Sequence, residues 1–227
     1  MPRIFILEDD RQWAALTQRL LKAAGHEVLH CATPGRLFDA LLKGVPDLLM
    51  LDMQLPGMHG REVLRVLRAN EATRSLLVIA VSAHDRASSD AVKAFENGAD
   101  DYFPKPFDAA LMLARIDALL KRGRGQPAAE AAPERLGALT LWPDQRLAKL
   151  GDKPLELTNL EFELLRYFLR QPNRVLTRSL ILKTVWRTVP DLSTRTVDKH
   201  VESLRRKLGP LGSKLETVVG AGYLLNP

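Results

Sequence analysis

Leu48-Leu49-Met50-Leu51-Asp52 is an apolar run that ends on a carboxylate. Four apolar residues without alternation suit a strand buried on both faces, as parallel strands are. Outward from it, similar short runs recur at 4–7, 28–31, 76–81 and 102–103, each ended by turn residues. Between them lie segments with apolar residues at helical spacing. Trp13, Leu16, Leu20 and Ala24 form one stripe, stopped by Gly25. Leu37, Phe38, Leu41 and Leu42 form a second, opened by Thr33-Pro34 and stopped by Gly44. Val63, Leu64 and Leu67 form a third, and Val92 and Phe95 a fourth. Leu111, Ile116, Leu119 and Leu120 form the last, with Asp108 placed to cap it. Five strands alternating with five helices predict an α/β domain over 1–122 built on a doubly wound, five-stranded parallel sheet. The expected strand order is 2-1-3-4-5, one of the two common doubly wound orders.

Residues 123–135 are Gly, Pro, Ala and charge without an apolar period, which predicts a linker. From 136 to 227 the pattern changes to an α+β layout. Short strands are expected at 139–142 and 146–150. Thr158 and Glu161 form a capping box that opens a helix. Thr177 opens a second, and a third runs from Arg195 to Leu208, ended by Gly209-Pro210. A hairpin turning at Gly220 and Gly222 closes the chain. This order predicts a winged helix-turn-helix domain.

Charge separates the two parts. Residues 1–122 hold 16 Lys+Arg against 16 Asp+Glu, whereas 136–227 hold 15 against 9, so the whole net charge of +6 sits in the C-terminal part. A basic domain beside a neutral one suits a polyanionic partner, although a merely soluble basic surface accounts for the charge equally well. No run approaches the ~18 apolar residues of a membrane helix. The first ten residues turn acidic too early for a signal peptide, and Cys31 is the sole cysteine, so no internal disulfide is possible. A cytoplasmic location is expected.

Glu8 and Asp9 follow the first expected strand, and Asp52 ends the third. In an order 2-1-3-4-5 these two strands flank the point where strand order reverses, so the three carboxylates converge where ligands bind. An oxygen-only set suits Mg²⁺, which would leave one carboxylate as nucleophile. Ser82 ends the fourth strand and Lys105 follows the fifth, on the same edge, where both could hold phosphoryl oxygens. Singly, each residue reads as a cap or a solvated side chain; together they read as a site.

These residues carry a resemblance. Glu8-Asp9, the stretch Leu51-Asp52-Met53-Gln54-Leu55-Pro56-Gly57-Met58-His59-Gly60, Val81-Ser82-Ala83, Gly98-Ala99-Asp100-Asp101-Tyr102 and Lys105-Pro106-Phe107 resemble the receiver domains of two-component response regulators. The resemblance implies that Asp52 accepts a phosphoryl group from a sensor histidine kinase. It implies that Asp9, Asp52 and the Gln54 carbonyl bind Mg²⁺, with Glu8 reaching it through water. Ser82 and Tyr102 would be the switch pair, Tyr102 turning inward behind Ser82.

Residues 136–227 resemble the winged-helix effector domains of OmpR/PhoB-type regulators, through Thr158, Glu161-Phe162, Val185-Trp186, Arg195-Thr196-Val197-Asp198, His200-Val201, Leu204-Arg205-Arg206-Lys207-Leu208 and Gly220-Ala221-Gly222-Tyr223, among others. This implies a recognition helix at 195–208, a wing at the final hairpin, and a loop at 187–194 that meets RNA polymerase in some members. At about 100° per residue from Arg195, Val197, Val201, Leu204 and Leu208 fall between about 180° and 240°, while Arg195, Lys199 and Arg206 share the opposite face. The residues expected to meet DNA are Arg195, Lys199, His200, Ser203 and Arg206.

Two departures alter the expectation. Val219 stands where the family commonly has a wing arginine, and Glu202-Ser203 stand where arginine is frequent, so Lys199 or Ser203 is expected to read bases. In the receiver, Asp100, Asp101, Arg115 and Arg122 match the family's ion-pairing face, but Ala91 and Leu111 replace an oppositely charged pair. Phosphorylation is expected to drive homodimerisation through that face with a more apolar contact. A phosphorylation-controlled transcription factor is the leading reading. A small-phosphoester hydrolase would need an acid where Gln54 stands, and a constitutive DNA binder whose receiver is an interaction module stays open.

Overall fold

The computed structural model describes residues 1–83, 87–123, 132–186 and 194–227. The chain divides into two units, Met1–Gly123 and Arg124–Pro227.

In the first unit, strands β1 (Arg3–Leu7), β2 (Glu27–Cys31), β3 (Leu48–Asp52), β4 (Leu77–Ala83) and β5 (Asp101–Lys105) alternate with helices α1 (Arg11–Ala23), α2 (Pro34–Lys43), α3 (Gly60–Ala69), α4 (Ala87–Glu96) and α5 (Ala109–Gly123). All pairings are parallel and the order is β2-β1-β3-β4-β5. β3 is buried at every residue, whereas edge strand β2 alternates and leaves Leu29 43% exposed. The sheet and α5 share a core of Ile4, Ile6, Met50, Ile79, Met112 and Ile116, among others. Each such side chain contributes roughly 1.5–3 kcal/mol by leaving water.

The caps expected at Thr33 and Asp108 form, accepting from the Arg36 and Leu111 amides, and Asp10 caps α1 by accepting from the Gln12 and Trp13 amides. Three helix faces differ from expectation. α1 buries Ala14, Thr17 and Leu21, one residue round from the expected stripe, and leaves Leu16 at the surface. Leu42 of α2 is 88% exposed, and in α4 Ala91, Ala94 and Phe95 fill the core while Val92 is half-buried. The inward positions of α1 and α4 include the small residues Ala14, Ala91 and Ala94, which a search for large apolar residues does not register.

The second unit opens with an antiparallel sheet of β6 (Glu134–Leu136), β7 (Leu139–Trp142), β8 (Leu147–Leu150) and β9 (Lys153–Pro154). β6 is a correction to the linker expected at 123–135: Glu134 pairs with Leu141 and Arg135 with Thr140. Three residues are too few to show a period of two, and partner β7 decides them. Helix α6 (Asn159–Leu169) starts on the Thr158–Glu161 capping box. β10 (Leu176–Thr177) leads into α7 (Arg178–Ile181), which widens into a π-type turn at Leu182–Trp186. Helix α8 (Arg195–Leu208) spans the expected residues, and the hairpin β11 (Leu215–Val218) and β12 (Gly222–Leu225) follows a 3₁₀ segment. β10 joins that hairpin beside β12, and a Cβ on Gly222 would overlap the Leu176 carbonyl, so only glycine lets the strands close.

Candidate phosphoacceptor site and nucleic-acid interface

Strand register brings the acidic and basic residues to one edge. Asp52 lies opposite Val81, Ser82 opposite Pro104 and Ala83 opposite Lys105. Glu8 and Asp9 leave the end of β1, and the Glu8 amide donates to the Cys31 carbonyl of β2. Carboxylate oxygens of Glu8, Asp9 and Asp52 lie within 4.8 Å of one another. Glu8 and Asp52 are buried and Asp9 is exposed, so the cluster opens to solvent on one side. An all-oxygen set with one open side fits a hard divalent cation that keeps water ligands.

Lys105 joins the site from β5. Its Nζ donates to Glu8 Oε2 at 2.5 Å and to Asp52 Oδ2 at 2.6 Å. The other Asp52 oxygen accepts the Gln54 amide at 2.7 Å, so both carboxylate oxygens are oriented. Gln54 therefore meets Asp52 through its backbone amide, a different group from the carbonyl expected to hold Mg²⁺. Gly60 closes the loop beneath: a Cβ there would lie 2.5 Å from the Asp52 carbonyl oxygen and 2.7 Å from Met53 Cα.

Burial lifts the Glu8 carboxyl pKa to about 7, and the like charge of Asp52 adds to it against the pull of Lys105. Burial works against the Lys105 ammonium, but its bonds to Asp52 and Glu8 outweigh that and hold its pKa above the ordinary value. A cation at Glu8 must displace a proton near neutrality. Mg²⁺ affinity is expected to rise as pH passes from about 6 to about 8, with a proton released at the lower pH and almost none at the higher. Calorimetric Mg²⁺ titrations in two buffers of different ionisation enthalpy measure that release. Equal affinity at both pH values would contradict it.

Ser82 and Tyr102 are both buried, at 0% and 2% exposure, on neighbouring strands β4 and β5. The Tyr102 ring is thus already inside. The ion-pairing face departs from the expected set. Asp101 pairs with Arg115 at 3.0 Å, but Asp100 is buried and engaged by Arg68 of α3 at 3.1 Å and by the Val78 amide. Asp100 is therefore a staple between α3 and β4, not a surface charge. Ala91 is fully buried, Leu111 is 50% exposed, and the Arg122 side chain lies outside the described residues.

In the second unit, α8 presents a narrow exposed strip. Arg195, Lys199, Glu202 and Arg206 are exposed, within about 60° of arc. Lys199 approaches Glu202 at 3.6 Å, a surface pair worth little. The buried side is wider than the apolar stripe, because Thr196 and His200 are buried as well. Two expected DNA contacts are corrected here. His200 lies edge-to-face on Trp186 at 5.0 Å and pairs through Nδ1 with the Thr196 carbonyl. Ser203 donates its hydroxyl to Glu161 at 2.6 Å. His200 is buried and half-buried Ser203 commits its hydroxyl proton to Glu161, so neither side chain stands on the exposed strip. His200 falls at about 140°, beside the apolar stripe, and that angle is the signal that could have placed it. The expected polymerase loop at 187–194 lies, apart from Thr194, outside the described residues.

Sequence reasoning missed a clasp between α8 and the hairpin. Tyr223 donates to Asp198 at 2.5 Å, Arg178 donates to the same carboxylate at 2.7 Å, and the Arg178 and Arg205 guanidinium groups lie 4.8 and 5.6 Å from the Tyr223 ring. Val219, at the hairpin tip, is 93% exposed.

Residues 4–117 match the family described as response regulator receiver domain, and 152–225 match that described as transcriptional regulatory protein, C terminal. The chain belongs to the OmpR/PhoB-type response regulators. The regulator is 40% identical over 231 residues to the DNA-binding dual master transcriptional regulator RpaA of Synechocystis sp., covering 99% of this chain and 95% of the relative. It is 37% identical to the response regulator MprA of Mycobacterium tuberculosis, covering 98% and 96%. It is 33% identical to the phosphate regulon regulator PhoB of Escherichia coli, covering 97% and 96%. A solved RitR variant shares the fold, at a TM-score of 0.74 and 22% identity over 100% of this chain and 99% of that one. The regulator is thus a transcription factor with a receiver domain and a winged-helix DNA-binding domain. No helix among the described residues is long and apolar enough to cross a membrane.

Proposed function

We propose that this regulator is controlled by phosphorylation of Asp52. A sensor histidine kinase supplies the phosphoryl group, and the modified receiver forms a homodimer that raises affinity for paired DNA half-sites. The protein is a regulator and not a classical enzyme, it works in the cytoplasm, and RNA polymerase is a further partner through the loop at 187–194.

One observation carries the reading: Lys105 spans Glu8 and Asp52 while Asp9 completes an oxygen cluster beside them. Asp52 is the nucleophile, held by the Gln54 amide on one oxygen and Lys105 on the other. Mg²⁺, held by Asp9, Asp52 and the Gln54 carbonyl with Glu8 through water, would neutralise charge on the incoming group. Among the described residues Lys105 is the side-chain cation placed to follow a phosphoryl oxygen, and Ser82 offers a hydroxyl from the adjacent strand end. Tyr102, behind Ser82, completes the switch.

Intact-protein mass after incubation with Mg²⁺ and acetyl phosphate tests the acceptor, followed by DNA binding of the modified species. One added phosphoryl group with tighter DNA binding is expected. Unmodified protein that binds DNA equally well would instead support constitutive action.

For the DNA-binding domain, Arg195, Lys199 and Arg206 form the contact strip. Lys199→Ala and Arg206→Ala are each expected to weaken binding and to lower the salt slope by about 1 if the contact is to phosphate, or to relax preference at one base pair if it is to a base. Ser203→Ala is expected to leave base preference alone and to cost about 1 kcal/mol of domain stability. Fluorescence titrations at several salt concentrations with a randomised-site series separate these outcomes; a changed base preference in Ser203→Ala would return Ser203 to the DNA face.

A further inference from the structure

We propose that Trp13 is a positioning residue for Lys105, resting on the phosphoacceptor reading above. Lys105 Nζ lies 5.7 Å from the centroid of the Trp13 ring, so the ammonium is bounded by two carboxylates and an aromatic face. Indole is the best of the aromatic faces for a cation. The ring is itself held in place. Its backbone amide donates to the Asp10 cap, which starts α1 one residue after Asp9, and Phe107 packs against it at 5.6 Å. Phe107 in turn meets Phe103 of β5 at 6.0 Å. An aromatic row thus ties the first turn of α1 to the strand that carries Lys105.

Phosphoryl uptake from acetyl phosphate forms a bond between an Asp52 carboxylate oxygen and phosphorus. The bond from phosphorus to the acetate oxygen breaks, and acetate leaves with the electron pair. Lys105 helps only if its ammonium is at the phosphoryl oxygens rather than in solvent. The Trp13 face limits where that ammonium can go, and a side chain without a ring releases it.

Three variants of the full chain test the role. Trp13→Leu keeps an apolar residue without a ring face, and its uptake rate is expected to fall about 5-fold. Trp13→Phe restores a face and is expected to stay within about 2-fold of wild type. Equal rates for the two variants would overturn the proposal, because packing alone would then suffice. Lys105→Met is expected to change tryptophan emission in the wild-type background and not in Trp13→Phe, which separates Trp13 from Trp142 and Trp186. Unchanged emission would also overturn the proposal. If wild type takes up no phosphoryl group, the acceptor reading fails, and the emission measurement still decides whether Trp13 holds Lys105.

Discussion

Asp52→Asn is expected to take up no phosphoryl group under conditions that modify wild type fully. The amide has no carboxylate oxygen to attack phosphorus, and neither Glu8 nor Asp9 stands in the same place. Glu8 is buried against Lys105 and the Asp10 amide, and Asp9 lies at the exposed rim. The substitution should have a second effect that needs no phosphate. Asp52 raises the Glu8 pKa by its like charge, so removing it lets Glu8 ionise more readily. Glu8 with a raised pKa binds more protons folded than unfolded, and stability therefore falls as pH rises from about 4.5 towards about 7. In the Asn variant that fall should shrink. Mg²⁺ should stabilise wild type and have little effect on the variant, since one of its carboxylate ligands is gone. Intact mass and thermal unfolding with and without Mg²⁺ check both effects. Uptake by the variant would place the acceptor on another residue.

Glu161→Ala is expected to destabilise the winged-helix domain by about 3 kcal/mol, the largest effect of any single polar substitution proposed for it. Glu161 is 3% exposed and fills three roles at once. Its carboxylate accepts the Thr158 amide at 2.7 Å to complete the cap of α6. It accepts the Ser203 hydroxyl at 2.6 Å and Lys207 Nζ at 2.5 Å, both from α8. Burial opposes the charged form, but the Lys207 charge and these bonds outweigh it and hold the pKa below the ordinary carboxylate value. Removing the carboxylate strands a half-buried ammonium and frays a helix start. Because Glu161 fastens α8, the helix proposed to meet DNA, to α6, DNA affinity should fall even where the domain stays folded. Chemical denaturation of Glu161→Ala and Glu161→Gln checks this: Gln can keep the cap and the Ser203 bond but not the ion pair, and should lie between Ala and wild type. A loss under 1 kcal/mol in the Ala variant would mean that water replaces these bonds.

Much of this molecule is readable from its residues in order. The run at Leu48–Asp52 is buried on both faces, and the parallel pairing of the sheet follows from the alternation of strands and helices. The caps at Asp10, Thr33, Thr158 and Thr177 are local devices, in which a side chain bonds an amide two or three residues on, so they need no tertiary knowledge. The convergence of Glu8, Asp9, Asp52 and Lys105 is equally legible, because parallel strands all end on one edge.

Other features depended on contacts between separate segments. Whether Ala14 or Trp13 of α1 faces the sheet, whether Glu134 joins a strand and whether Asp100 meets solvent or Arg68 are settled by partners on other elements: Glu134 by Leu141 of β7, Asp100 by Arg68 of α3. Helix α8 shows the division most clearly. Its length and apolar stripe are periodic and local, and so is the angle that sets His200 beside that stripe, but Ser203 leaves the exposed strip through its bond to Glu161, 42 residues away. A polar side chain on a helix carries no sign of which buried group will claim it. Periodicity specifies the face that leaves water, while the hydrogen-bond partners, which decide what stays available to DNA or to phosphate, exist only once the chain has folded.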